Sequence, residues 1–178
     1  MKHALLISEF LSTPWALMPE RLAAFAGVVA RWSSGAIADA GTLARVRADA
    51  DIAAARRSAA ERTGGGSIAV LPMVGVVTQR GNMADDISGP GSMSTQMFSQ
   101  TLRSALADDA VDAILIDIDS PGGSVYGVQE LADEIYQARG QKPVVAIANS
   151  LAASAAYWLG SAASEIYVTP GGEVGSIG

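Results

Sequence analysis

The sequence has no cysteine and a single histidine, His3, close to its amino end. Disulfides and thiolate metal sites are therefore excluded, and the redox compartment is not written in the chain. Lysine is almost as scarce, with Lys2 and Lys142 the only two. Charge of either sign is sparse, at 17% of residues, and acidic groups prevail to leave a net charge of −6. That balance argues against a general nucleic-acid-binding surface. No apolar run reaches the length of a membrane span. Residues 22–30 are apolar but too few, and Glu9, Pro14, Pro19 and Glu20 interrupt any secretory leader. The expectation is a cytoplasmic chain with no membrane span. What is abundant is apolar: 49% of 178 residues, enough for one packed domain with an extension.

The organisation follows from composition shifts. Residues 1–63 read as a partly helical N-terminal extension. It contains a short amphipathic run at 19–29 and an Ala- and Arg-rich stretch at 38–62. There Arg45, Arg47, Arg56, Arg57 and Arg62 alternate with Asp39, Asp49, Asp51 and Glu61. This mixed-sign pattern suits a solvated helix, or an arm that binds a partner in assembly. Residues 64–67, Gly-Gly-Gly-Ser, form a flexible linker. Residues 68–178 form the core. A strand with a bend or bulge is expected at 68–77, its regularity broken by Pro72 and Gly75, then a loop at 78–93 and a helix from Ser94 to about 107. Further strands are expected at 113–118, 144–148 and 165–168, with helices at 125–138 and 155–163. Strands alternating with helices at this spacing predict an α/β fold with a parallel sheet.

Two stretches carry candidate chemistry. Ser154 lies among small residues, between the apolar run 144–148 and an Ala-rich helix. A serine there is either a helix N-cap or a nucleophile whose developing anion lies beside free backbone N–H groups. Asp119-Ser120-Pro121-Gly122-Gly123 follows another strand. Paired glycines there form either a tight turn or a loop that aims N–H groups into a shared cavity. Asp117 and Asp119 fall on one face of their strand, but no third ligand accompanies them. No metal and no cofactor are expected.

Taken together, these stretches resemble the signal peptide peptidase A family of serine peptidases, and within it the phage and prophage prohead peptidases. The likeness runs from about residue 67 to 178. It includes Val125-Tyr126-Gly127 and the closing Gly175-Ser176-Ile177-Gly178, and the opening Ser12-Thr13-Pro14-Trp15-Ala16-Leu17-Met18-Pro19-Glu20 also resembles the leader of the phage branch. The family often has Gly-Gly after the serine, where this chain has Ala155-Ala156. The resemblance implies a Clp- and crotonase-like ββα spiral and peptide-bond hydrolysis through an acyl-enzyme. Ser154 would be the nucleophile, and the N–H groups of Gly123 and Ala155 the oxyanion donors. Gly122, Ser124 and Val125 would line a groove that pairs with an extended substrate. The family's base is a lysine lying beyond the Gly-Ser-Ile-Gly motif. His3 is misplaced for a Clp-type triad and Lys142 for a dyad, so the base is expected to be missing from a chain truncated before it. A continuation of the chain or a neighbouring subunit would supply it. The resemblance further implies a homo-oligomer in the host cytoplasm or virion, with phage capsid or scaffold proteins as partners. The alternatives are a catalytically incomplete assembly or scaffold protein of a phage head, and a crotonase-type acyl-CoA enzyme, for which no motif is present.

Overall fold

A computed structural model describes residues 8, 11–33, 67–80 and 92–177. The expectations for 38–62, for the linker glycines and for most of the 78–93 loop lie outside these residues. The chain order is β1 (Trp15–Leu17), α1 (Pro19–Ser33), β2 (Ser67–Val74), β3 (Val76–Thr78), β4 (Ser92–Ser94), α2 (Thr95–Ala107), β5 (Val111–Ser120) and β6 (Gly122–Ser124). Then follow α3 (Val128–Ala138), β7 (Val144–Ala153), α4 (Ala155–Ser161), β8 (Glu165–Val168) and β9 (Glu173–Gly175). The architecture is mixed α/β with mostly parallel strands, the class that the alternation implies.

One sheet has the order β2-β5-β7-β8, all parallel, with β9 added beside the end of β7. Its centre is apolar because the strands are. Ile114, Ile116 and Ile118 of β5 and Val144, Ala146 and Ala148 of β7 are all fully buried on one face, whereas Leu115, Asp117, Val145 and Ile147 on the other are half-buried. Pro72 is tolerated within β2 because β2 is an edge strand. The second, smaller sheet has the order β1-β6-β3-β4. It holds β6, and therefore the Gly-Gly pair, between β1 and β3.

The helices pack by their apolar stripes. Phe98 and Leu102 of α2, and Val128, Leu131 and Ile135 of α3, enter one core cluster with the strands. Ser94 caps α2 as expected, accepting from the Met97 N–H at 3.3 Å. α2 and α3 are also joined at the surface. Arg103 Nη2 meets Glu134 Oε1 at 2.6 Å, and the Ser99 hydroxyl donates to Glu134 Oε2 at 2.6 Å. Among the described residues no helix is long and apolar enough to cross a membrane.

Several boundaries differ from the sequence reading. The strand expected at 68–77 is two strands, and the break is at Gly75 (φ 85°), not at Pro72. The helix expected from Val125 begins at Val128 because Gly127 has φ 76°, a left-handed conformation that cannot continue a helix. A side chain at Gly127 would also put its Cβ 2.5 Å from Thr95 Oγ1. The helix expected to reach 163 ends at Ser161, where Ala162 and Ala163 N–H groups bond back three residues to Leu159 and Gly160 carbonyls. β4 and β9 lie in stretches read as loop and turn, each only three residues long.

Ile135 is fully buried whereas Gln137, two residues on, is exposed. Ile135→Ala should lower the unfolding free energy by about 2–5 kcal/mol. Gln137→Ala should change it by less than about 0.5 kcal/mol. Urea titration followed by circular dichroism measures both, and equal effects would contradict this packing.

Candidate active site

β7 continues beyond its apolar run by means of an irregularity. Ile118 of β5 faces Ala148, but Ser120 faces Ala152. Asn149, Ser150 and Leu151 therefore stand against Asp119 alone. This bulge carries the strand to Ala153, and β9 supports it by pairing with Leu151–Ala153. The chain then turns sharply at Ser154, with φ 56° and ψ −121°. That is a sparsely populated conformation for a residue with a side chain, and such strain persists only where the surroundings impose it. The surroundings here are two backbone bonds. The Ser154 N–H donates to the Gly175 carbonyl at 2.8 Å, and the Ser154 carbonyl accepts from the Trp158 N–H at 3.0 Å.

α4 starts at Ala155. The first hydrogen bond of that turn is the one from Trp158 to Ser154, so the N–H groups of Ala155, Ala156 and Tyr157 have no acceptor within the helix. The Ser154 side chain does not cap the helix. The half-buried residue instead lines a cavity of about 740 Å³, together with Ala155, Tyr157 and Trp158 on α4 and Trp15 and Leu17 on β1.

The Gly-Gly pair approaches the Ser154 turn from the other side. Fully buried Ser120 fixes its approach. Its hydroxyl donates to the Gly75 carbonyl at 2.6 Å and accepts from the Gly122 N–H at 3.2 Å. The Gly75 N–H in turn donates to the Asp119 carbonyl at 3.0 Å. A Cβ at Gly122 would lie 2.6 Å from the Ala16 carbonyl oxygen and 2.9 Å from Ser154 Cβ. Gly122, Ser154 and Ala16 thus converge on one point.

β1 runs antiparallel to β6, pairing Trp15 with Ser124, Ala16 with Gly123 and Leu17 with Gly122. Just outside the ladder, the Val125 N–H donates to the Pro14 carbonyl at 3.2 Å and the Met18 N–H to the Pro121 carbonyl at 3.5 Å. Hydrogen-bonded pairs alternate along an antiparallel ladder. Ala16 and Gly123 therefore fall in the hydrogen-bonded class, with the Gly123 N–H turned towards the Ala16 carbonyl.

The residues singled out from the sequence are thus partly brought together. Ser154 and Ala155 line the cavity, Gly122 packs against Ser154, and Gly123 pairs with the cavity-lining Ala16. Ser124 and Val125 face β1 rather than an open groove, and the Ser124 hydroxyl accepts from the Tyr126 N–H. Lys142 is not brought to Ser154. It precedes β7 while Ser154 follows it, and the ten residues of that strand span roughly 33 Å. Its Nζ donates to the Ala105 and Asp108 carbonyls at 2.9 and 2.6 Å. Asp117 is half-buried and Asp119 exposed, and among the described residues no cluster of three metal-ligating side chains exists. Two contributors were not foreseen. Ser120 orients the glycines and Gly175 holds the serine turn. Both lie in the quoted motifs, but the roles depend on contacts distant in sequence.

Residues 136–178 match the sequence profile of peptidase family S49. Over that segment the chain is similar to the S49 peptidases. It is 43% identical over 111 residues to a head-tail preconnector protein of Enterobacteria phage P21, covering 62% of this chain and 22% of that protein. It is 41% identical over 111 residues to the capsid assembly protease C of Escherichia phage lambda, covering 62% of this chain and 25% of that one. Protease 4 of Salmonella typhi is 35% identical over 106 residues, or 59% of this chain and 17% of the enzyme. The chain therefore spans about a quarter or less of the length of these S49-type relatives. Among solved structures, a membrane-bound stomatin-specific protease aligns with a TM-score of 0.48 at 20% identity, over 63% of this chain and 48% of that one.

The strain at Ser154 is testable without any activity. A non-glycine residue in such a conformation costs on the order of 1–3 kcal/mol, which exceeds the entropic cost of glycine, about 0.5–1 kcal/mol. Ser154→Gly should raise the unfolding free energy by about 1 kcal/mol, whereas Ser154→Ala, which keeps its Cβ, should not raise it. A glycine variant less stable than the alanine variant in urea would contradict the strained turn.

Proposed function

We propose that this chain is the nucleophile-bearing part of a serine peptidase that cuts peptide bonds through an acyl-enzyme. The observation that carries the reading is the close approach of Gly122, at the start of the Gly122–Gly123 strand, to the strained Ser154 turn that lines the cavity. In this reading Ser154 Oγ attacks the substrate carbonyl and gives its proton to a base. The resulting oxyanion accepts hydrogen bonds from the Gly123 and Ala155 N–H groups. Loss of one such donor typically raises the barrier by about 3–4 kcal/mol. Collapse of the tetrahedral species expels the amine, which takes the proton back from the base, and water then hydrolyses the ester on Ser154.

A serine hydroxyl needs that base. We infer that it is a lysine lying outside these 178 residues, in a continuation of the chain or in a neighbouring subunit of a homo-oligomer. Lys142 is held by carbonyls at the far end of β7, which counts against it. The likeness to a phage capsid assembly protease and a head-tail preconnector protein favours capsid or scaffold proteins as substrates, met in the host cytoplasm or the assembling particle.

The test is intact-mass analysis of the native-length protein after treatment with a fluorophosphonate. A single adduct is expected, mapped to Ser154 and absent from Ser154→Ala. No adduct, or one on another serine, would contradict the reading and favour a non-catalytic assembly protein.

A further inference from the structure

The edge of β6 expected to receive a peptide is already taken by the chain's own β1. We propose that the leader segment around Trp15–Leu17 is a built-in strap that occupies the substrate strand's place and must leave before a peptide can bind. The proposal rests on the peptidase reading of the cavity and adds to it a regulation and a preferred substrate shape.

Three observations carry it. β1 adds to β6 by antiparallel main-chain pairing, the mode by which extended peptides augment a free sheet edge. The register sets the Ala16 carbonyl against the Gly123 N–H, and a Cβ built on Gly122 falls within 2.9 Å of both that carbonyl oxygen and Ser154 Cβ. The strap's carbonyl therefore lies where a reacting carbonyl would have to lie. Its side chains, Trp15 and Leu17, wall the Ser154 cavity. A three-residue strand is a small attachment: among the described residues β1 pairs with β6 alone and sits at the end of its sheet. Such an element belongs to the part of a fold that opens before the core does.

The same register describes the peptide that would replace the strap. It would lie extended, antiparallel to Gly122–Ser124, with the residue opposite Gly123 beside Ser154. In the strap that residue is alanine, so the class indicated is a peptide with a small side chain there and a bulky apolar one on either side.

The absence of cysteine makes a clean test available. Trp15 and Ser124 form a non-hydrogen-bonded antiparallel pair, whose Cα atoms lie about 4.5 Å apart. That falls within the disulfide range of roughly 4.4–6.8 Å. Trp15→Cys with Ser124→Cys in the native-length protein should therefore lock the strap under oxidant and release it under reductant. The opposite change is Ala16→Pro, which removes an N–H from the centre of the ladder. The probe is a fluorescein-labelled peptide with the sequence of residues 12–19, and its affinity is read by anisotropy.

The oxidised lock should bind the peptide at least tenfold more weakly than the same protein after reduction. Ala16→Pro should bind it more tightly than the unaltered chain. Equal affinity in the oxidised and reduced states, or no binding by any form, would overturn the strap. Fluorophosphonate labelling of the same samples keeps the two readings apart. Labelling of Ser154 with equal peptide affinities would remove the strap and leave the nucleophile. Redox-dependent peptide binding with no labelling would leave the strap and remove the nucleophile.

Discussion

A side chain at position 123 would put its first carbon 2.0 Å from the Val77 carbonyl oxygen. Only glycine lets β6 come this close to β3, and the position of β6 depends on that closeness. From there the Gly123 N–H faces away from β3, towards β1, and Gly122 comes against the Ser154 turn. The serine turn is fixed independently, by the bulge after Ala148 and by the Gly175 carbonyl on the Ser154 N–H. Gly122 and Ser154 come together because these two constraints meet. The two sheets behind them, filled by Ile114, Ile116, Ile118 and their partners, serve to hold both ends still.

Much of this was legible in the sequence. Short β-branched runs marked the central strands, whose Ile114, Ile116, Ile118, Val144, Ala146 and Ala148 are buried on one face while Leu115, Val145 and Ile147 on the other are half-buried. Ser94 was read correctly because its hydroxyl answers a local demand, the unbonded N–H groups of the following helix turn. The class of fold followed from alternation alone. The parts that were not legible depend on distant partners. β1, β4 and β9 are three residues each, too short for a period, and exist only through the strands that they meet. The extension of β7 to Ala153 rests on β9, over 20 residues further along the chain. Val125 was assigned to a helix because its neighbours are apolar at helical spacing, but Gly127 holds φ 76° there.

The candidate site divides in the same way. Ser154 and the Gly-Gly pair stood out as residue types in a recognisable arrangement. Ser120 did not, since nothing local says that a buried hydroxyl will bridge the Gly75 carbonyl and the Gly122 N–H. The presence of β1 on the edge of β6 was likewise invisible, because it joins segments more than 100 residues apart. That pairing covers the edge of β6 that the sequence reading takes for an open groove.

The most direct measurement of the central claim, that Ser154 and the two N–H groups act on one carbonyl carbon, is a crystal structure with a peptide boronic acid ending in boro-alanine. The account predicts a tetrahedral boronate on Ser154 Oγ, with one boronate oxygen about 2.7–3.1 Å from both the Gly123 and Ala155 nitrogens and the peptide in place of β1. A boronate bound elsewhere, or one on Ser154 whose oxygens avoid both nitrogens, would contradict it.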